Sequence, residues 1–324
     1  MAHTILVTAT KLGAAGVRRL EEAGCRILYL TGSKDAAEVA TLLATHPIDA
    51  VISRTLDLTE AAMRACPTLK VVCKHGVGVS NIDMAGATRL GIPVYVTPGA
   101  NSQSVAELTL CIMIAAARRV GYMDRELRAG RWTRAEDGSQ LSGRTLGIVG
   151  LGQIGKRTAA IAMALGMKVV AVDPAYPGAS PLAGVTMLPA LEDLLRQSNV
   201  LSLHVPLTPE TRGMIGRAQI DLMPPRSILV NTARGPVVNE PDLVAALREG
   251  RLFAAALDTP TDEPIKPGSP LLALDNIVLT PHMGGSTPDA LEAVSLIAAE
   301  NVLGFLGGHP PDPGWCFNAQ VLAG

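Results

Sequence analysis

Gly150-Leu151-Gly152-Gln153-Ile154-Gly155 stands between an apolar run, Thr145-Leu146-Gly147-Ile148-Val149, and a helical pattern over residues 156–165. Strand, glycine turn and helix in that order meet the needs of a dinucleotide pyrophosphate: a tight turn, close backbone approach, and free N–H groups at a helix start. The next apolar run ends at Asp173, 18 residues past Gly155, where a carboxylate can accept hydrogen bonds from the adenosine ribose hydroxyls. Residues 174–186 contain no Lys or Arg to meet a 2′-phosphate, so the pattern favours NAD over NADP. Gly150, Gly152, Gln153, Ile154, Gly155 and Asp173 are the expected cofactor residues.

Outward from this turn, short β-branched runs alternate with longer helical patterns. Downstream strands are expected at 145–149, 168–172, 200–204, 227–231, 254–257 and 277–279, six in all. Upstream they are expected at 5–8, 26–30, 50–53, 70–73 and 94–97, with helices at 17–23, 36–45, 60–65 and 84–90. Such alternation calls for parallel strands joined by helical crossovers. A long helix is expected over 104–120, then a polar arm over 125–143 that carries Trp132. Another long helix is expected over 287–307, before a Pro/Gly-rich end.

The 324 residues predict about two domains. With 28 Lys+Arg against 29 Asp+Glu, neither a nucleic-acid nor an anionic-membrane surface is expected. Hydrophobic residues make up 48% and charged residues 18%, which excludes disorder. Three Phe, two Trp and four Tyr are too few for an aromatic-lined platform. Cys25, Cys66, Cys73, Cys111 and Cys316 are scattered without a CxxC pair, so they read as reduced thiols with neither a metal site nor a disulfide framework. No basic region precedes Ile5-Leu6-Val7, so no secretory leader is expected. The apolar stretch 105–117 is shorter than the about 20 residues that span a bilayer. A cytoplasmic protein is expected.

Three later motifs follow in order: Asn231-Thr232-Ala233-Arg234-Gly235; Leu257-Asp258-Thr259-Pro260-Thr261-Asp262-Glu263-Pro264; and Thr280-Pro281-His282-Met283-Gly284-Gly285-Ser286-Thr287. With Lys74-His75-Gly76-Val77-Gly78-Val79-Ser80-Asn81-Ile82-Asp83 and Thr97-Pro98-Gly99-Ala100-Asn101-Ser102 upstream, the set resembles the D-2-hydroxyacid dehydrogenases, in particular their phosphoglycerate dehydrogenase and hydroxypyruvate reductase branch. The resemblance implies an α/β fold of two doubly wound parallel-sheet domains. These are a flavodoxin-like substrate-binding domain, residues 1–100 and 287–324, and a Rossmann NAD-binding domain, residues 101–286. It implies an NAD-dependent oxidoreductase interconverting a D-2-hydroxy acid and its 2-oxo acid, with the active site in the cleft between the domains. It also implies a homodimer built on the helix near Ser104 and the following arm. No appended regulatory domain is expected.

The residue chemistry points the same way. Reducing a 2-oxo acid needs a cation for the carboxylate, a proton for the carbonyl oxygen and a nicotinamide facing C2. Arg234 follows a strand at the carboxyl edge where open α/β sheets bind ligands, and its planar fork suits a carboxylate. His282 follows the last strand and suits the acid role in reduction and the base role in oxidation. Glu263 would orient the imidazole and stabilise imidazolium. By resemblance, Arg234, Glu263 and His282 are the catalytic three. Asp258 is matched to a contact with the nicotinamide end of the cofactor, and Val205, Pro206 and Thr211 to the loop beneath the adenosine. Thr232, Ala233 and Gly284 lie within the matched motifs and are carried over as cofactor residues.

On the substrate side, Val77 and Gly78 are matched to a loop that grips the substrate carboxylate, and Asn101 to the hinge entering the second domain. Lys74 and Arg54, both at strand ends, could hold a second anionic group or could pair with surface acids. Thr259 and Pro260 depart from the family, which places an apolar β-branched residue and an aromatic there. An L-hydroxy acid dehydrogenase would carry its glycine fingerprint at the chain start, and a methyltransferase would not need the Arg–Glu–His set. An NAD(H)-sensing corepressor-like interaction protein on the same fold is the remaining alternative.

Overall fold

The computed structural model describes residues 2–134 and 138–323. Part of the expected arm, residues 135–137, therefore lies outside the described residues, as do Met1 and Gly324 at the two ends. The chain divides into two compact units, Met1–Asn101 with Ser286–Gly324, and Ser102–Gly285.

The first unit runs β1 (Thr4–Val7), α1 (Ala14–Glu22), β2 (Arg26–Tyr29), α2 (Ala36–Thr45), β3 (Ala50–Ser53), α3 (Glu60–Arg64), β4 (Val71–Lys74), α4 (Met84–Arg89) and β5 (Val94–Tyr95). Its five strands are all parallel, in the order β2-β1-β3-β4-β5, the flavodoxin-like arrangement. Every residue of β3 and of β4 is buried, because helices cover both faces; this is why these strands read as unbroken apolar runs rather than alternating ones. Side chains stop the helices from fraying: Asp35, Thr59 and Asp83 each accept a hydrogen bond from a backbone N–H in the first turn of the helix that follows.

The second unit contains α5 (Ser102–Ala117), α6 (Val120–Arg128), β6 (Thr145–Val149), α7 (Gln153–Ala164), β7 (Lys168–Val172), β8 (Val185–Met187), α8 (Leu191–Gln197), β9 (Val200–Leu203), α9 (Arg217–Leu222), β10 (Ser227–Asn231), α10 (Glu240–Arg248), β11 (Leu252–Leu257) and β12 (Ile277–Leu279). Its sheet has seven parallel strands in the order β12-β11-β10-β9-β6-β7-β8. The order reverses between β6 and β9, the switch point that opens a crevice at the carboxyl edge. Two apolar clusters fill its two faces. One contains Val149, Leu201, Leu229 and Leu257, and the other Leu146, Ile148, Met113 and Ala159.

Two expectations need correction. The sheet has a seventh strand, β8, whose three residues form an edge too short to register as a strand in the sequence. The helix expected over 104–120 starts at Ser102 and stops at Ala117; Arg119, at φ +52°, breaks it, and α6 takes up part of what reads as a polar arm.

The chain then returns to the first unit as α11 (Pro288–Leu306), with Thr287 accepting from Ala290 N at the start and Gly307 at the end. Glu292 on α11 caps α1 from outside, accepting from Ala14 N at 2.8 Å and Ala15 N at 2.6 Å. Among the described residues, no helix is long and apolar enough to cross a membrane.

Candidate active site

Loops at the carboxyl edge of the seven-stranded sheet carry nearly all the expected cofactor and catalytic residues. Gly150 turns the chain at φ +92°, and a Cβ on Gly155 would lie 2.2 Å from Gly150 O, so helix and turn meet at a distance only glycine allows. Gly152, the N-cap of α7, is exposed and no side chain caps the helix. The first-turn N–H groups of Gln153 and Ile154 thus open toward an anion. Asp173, at the end of β7, accepts from Leu151 N at 2.7 Å through Oδ2 and from Ala175 N at 2.8 Å through Oδ1. Each carboxylate oxygen keeps a second lone pair for a ribose hydroxyl. The cradle fits a dinucleotide.

The loop after β9 bends on itself, with Thr211 Oγ1 donating to Pro206 O at 2.6 Å and Val205 half-buried beside the glycine turn. His204, at its start, contacts Ser202 Oγ through Nε2 at 2.9 Å, and desolvation pushes its pKa down to about 4. A neutral ring held this way is structural.

Arg234 lies in the turn after β10. The Asn231 side chain braces that turn, accepting from Ala233 N at 2.9 Å and donating to Arg234 O at 2.9 Å. Arg234 Nη1 donates to Ala233 O at 2.6 Å, which orients the guanidinium. Thr232 Oγ1 meets Thr109 Oγ1 of α5 at 2.9 Å. A Cβ on Gly235 would sit 2.3 Å from Pro260 O, so the Arg234 turn packs directly on the loop after β11. That loop carries Glu263, whose Oε2 lies 2.8 Å from His282 Nδ1. The two side chains are both partly open to solvent, with His282 Nε2 at the far side of the ring from Glu263.

Asp258 is 1% exposed, and both its oxygens accept hydrogen bonds from the 280–284 loop. Ser104 Oγ of α5 donates to Gly284 O at 2.6 Å on the same loop. Thr280, Asn231, Thr109 and Ser104 carry no sequence signal of their roles, although the first two stand inside the matched motifs. Their roles are loop bracing, which needs three-dimensional neighbours to be seen.

Within the first unit, Val77 and Gly78 lie on the loop after β4; Val77 is 43% exposed, and the loop base is tied by Gly76 N to Thr97 Oγ1 at 3.0 Å. Lys74 is buried rather than on the surface, and its Nζ donates to Arg54 O and, at 2.6 Å, to Asn81 Oδ1. The ammonium thus ties the ends of β3 and β4 to the loop. Arg54 N donates to Thr8 Oγ1 at 2.8 Å, and the Arg54 charge acts on the neighbouring His75. Asn101 is the last residue of the first unit. Among the described residues no cluster of His, Cys, Asp and Glu could hold a metal ion.

A seven-stranded parallel sheet with a glycine turn, a ribose-side carboxylate and an Arg–Glu–His group at one edge defines a dinucleotide-dependent α/β oxidoreductase class. The comparisons narrow this. Residues 110–284 match the model of the D-isomer specific 2-hydroxyacid dehydrogenase, NAD binding domain. The chain is 41% identical over 300 residues to a D-3-phosphoglycerate dehydrogenase of Methanocaldococcus jannaschii, covering 90% of this chain and 56% of the relative. It is 41% identical over 295 residues to a glyoxylate reductase of Aeropyrum pernix, covering 87% of this chain and 83% of the relative. The crystal structure of the TT0316 protein from Thermus thermophilus superposes with a TM-score of 0.84 at 37% identity, covering 95% of this chain and 98% of that one. The chain therefore belongs to the D-isomer specific 2-hydroxyacid dehydrogenase family, and NAD is the cofactor of its second unit. It spans a little over half the length of the phosphoglycerate dehydrogenase it matches.

Proposed function

We propose that this protein is an NAD-dependent oxidoreductase that interconverts a small D-2-hydroxy acid and its 2-oxo acid, of the phosphoglycerate dehydrogenase or hydroxypyruvate/glyoxylate reductase type. The observation that carries the reading is the His282–Glu263 pair, at 2.8 Å, in a loop cluster shared with Arg234 and beside a dinucleotide cradle. The glycine turn and Asp173 would hold NAD(H), which when bound would supply or accept the hydride exchanged at C2 of the substrate. Arg234 holds the substrate carboxylate with its planar fork and polarises the carbonyl. His282 delivers a proton from Nε2 to the carbonyl oxygen during reduction and takes it back during oxidation. Glu263, on Nδ1, fixes the orientation of the ring. The first unit is the substrate-holding one in this reading, with the Val77-Gly78 backbone amides receiving the carboxylate.

The substrate class follows from charge. The Arg54 charge acts on His75, the residue before the 76–78 loop, which supports a second anionic group on the substrate, such as phosphate, sulfonate or a distal carboxylate. Lys74 serves that group indirectly, by tying Arg54 to Asn81. In solution the protein is a cytoplasmic homodimer in this reading. Five free cysteines support a reducing compartment, and α6, which has no buried residue, together with Trp132 at 84% exposure, supports a partner on that side.

The test is NADH consumption with glyoxylate, hydroxypyruvate, phosphohydroxypyruvate, sulfopyruvate and larger 2-oxo acids. Turnover of at least one supports the reading; NADH binding with no turnover on any would favour the sensor protein instead.

A further inference from the structure

The loop that carries Val77 and Gly78 is held differently at its two ends. At the exit, Asn81 accepts from Lys74 Nζ at 2.6 Å and donates to Leu56 O at 2.7 Å. At the entry, His75 N donates to Ser53 O at 2.9 Å, and Gly76 N donates to Thr97 Oγ1 at 3.0 Å. Gly76 stands at φ +130° and has no Cβ to restrict it, so what holds its neighbours sets the direction in which the loop leaves β4. One side chain at this entry reaches across the unit: His75 Nε2 lies 2.9 Å from Ser295 Oγ on α11, 220 residues away in sequence. Ser295 is fully buried, and its hydroxyl also donates to Leu291 O at 2.6 Å and accepts from Gly13 N at 3.0 Å. A hydroxyl has one proton and two lone pairs. Leu291 O takes the proton and Gly13 N one lone pair, so His75 Nε2 is the donor to the other. Burial lowers the His75 pKa to about 4, which keeps the tethered ring neutral. The anchor itself is rigid. A Cβ on Gly16 would stand 2.6 Å from Ser295 O, so α1 and α11 touch at a distance that only glycine allows.

We propose that His75 is a positioning residue for the 76–78 loop: its tether to Ser295 fixes the loop entry on the α1–α11 pair and so sets the direction of the Val77 and Gly78 amides. The inference deepens the functional reading and rests on it, since those amides matter only if they receive the substrate carboxylate. His75 acts through the loop and not on the reacting atoms. A grip on the carboxylate is made before and during hydride transfer alike, so loosening it raises KM and leaves kcat nearly unchanged. Without the Nε2–H donor, the buried Ser295 hydroxyl loses one of its three partners and the loop entry is held only by the neighbouring strand and Thr97.

Three variants test this: His75→Leu, which keeps the bulk but not the donor; His75→Gln, whose amide NH2 can replace Nε2–H; and Ser295→Ala, which removes the acceptor. Each is measured for NADH affinity by fluorescence, for kcat and KM with the best 2-oxo acid, and for amide hydrogen exchange over residues 76–80. His75→Leu and Ser295→Ala are expected to raise KM about tenfold and to quicken that exchange, with kcat and NADH affinity within about threefold of the parent. His75→Gln should return KM to within about threefold. Combining His75→Leu with Ser295→Ala should do no more harm than the worse single change, because the same bond is lost only once. KM and exchange unmoved in both single variants overturn the proposal. So do losses that multiply in the double variant, or a fall in kcat as large as the rise in KM that His75→Gln does not rescue. If His75→Leu does not fold, Ser295→Ala and His75→Gln decide by the same criteria. If the parent reduces no 2-oxo acid, the functional reading fails, while quickened exchange over 76–80 still sustains the tether and unmoved exchange still overturns it.

Discussion

In the proposed mechanism His282, Glu263 and Arg234 divide three tasks, and their substitutions separate them. Removing the proton donor in His282→Asn costs on the order of 10²–10⁴ in kcat with NADH binding retained. Arg234→Lys keeps the charge but loses the planar fork, so the rise in KM for the 2-oxo acid exceeds the change in NADH affinity; steady-state kinetics with NADH fluorescence checks both. A separate pair of histidines sets a pH limit on folding. Burial is the main cause that lowers His75 to about 4, and desolvation lowers His204 to about 4. An unfolded chain titrates its histidines near 6.5, so between about 6.5 and 4 the unfolded state binds more protons than the folded one. The stability is fully present above the unfolded value and is lost as pH falls through this window. Thermal unfolding measured from pH 7.5 to 4.5 should show Tm dropping below about pH 6.5, and less steeply in His75→Gln. A Tm that is flat or rises on acidification would contradict this. The sequence order sets Glu263 and His282 on loops after successive strands, and the structure brings the two side chains to 2.8 Å. The burial of Lys74 was not legible in the sequence, because a lysine at a strand end gives no sign that its ammonium will be folded back onto Arg54 O and Asn81.

At the level of elements, the glycine turn between β6 and α7 is the part most tightly constrained by sterics. A methyl group on Gly155 would stand 2.2 Å from Gly150 O, and backbone cannot swing aside as a side chain does. Gly155→Ala should destabilise the unit by about 1–3 kcal/mol and weaken NADH binding at least tenfold, read by denaturant unfolding and fluorescence titration. Ordinary unfolding with ordinary NADH affinity would refute the close packing. Strands β6, β7, β10 and β12 were readable to the residue, because parallel strands covered on both faces leave unbroken apolar runs bounded by turn residues. The edge strand β8 and the break at Arg119 were not. A three-residue edge has no periodicity to detect, and an arginine in left-handed conformation between two helical patterns has no sequence signature of the glycine kind.

At the scale of the molecule, the chain is two α/β units, one of them made from both ends of the sequence. Thr287 and Pro288 mark the return as a helix start, and α11 then seals α1 through Glu292. The alternation of strands and helices announces both units; the pairing of a tail helix with an amino-terminal one depends on contacts some 280 residues apart in sequence. If the α6 side is a subunit interface, Trp132→Ala with Leu127→Asp should shift the mass in solution from dimer to monomer while leaving the far-ultraviolet circular dichroism unchanged. A parent that is already monomeric at micromolar concentration would end that reading.

The most direct test of the whole account mixes the protein with NADH and hydroxypyruvate, follows NADH loss, and repeats the assay with His282→Asn. The account predicts steady turnover by the parent, with NADH bound as tightly but consumed on the order of 10²-fold or more slowly by the variant. Undiminished turnover in His282→Asn would contradict it, and so would a parent that binds NADH yet reduces neither this nor any other 2-oxo acid.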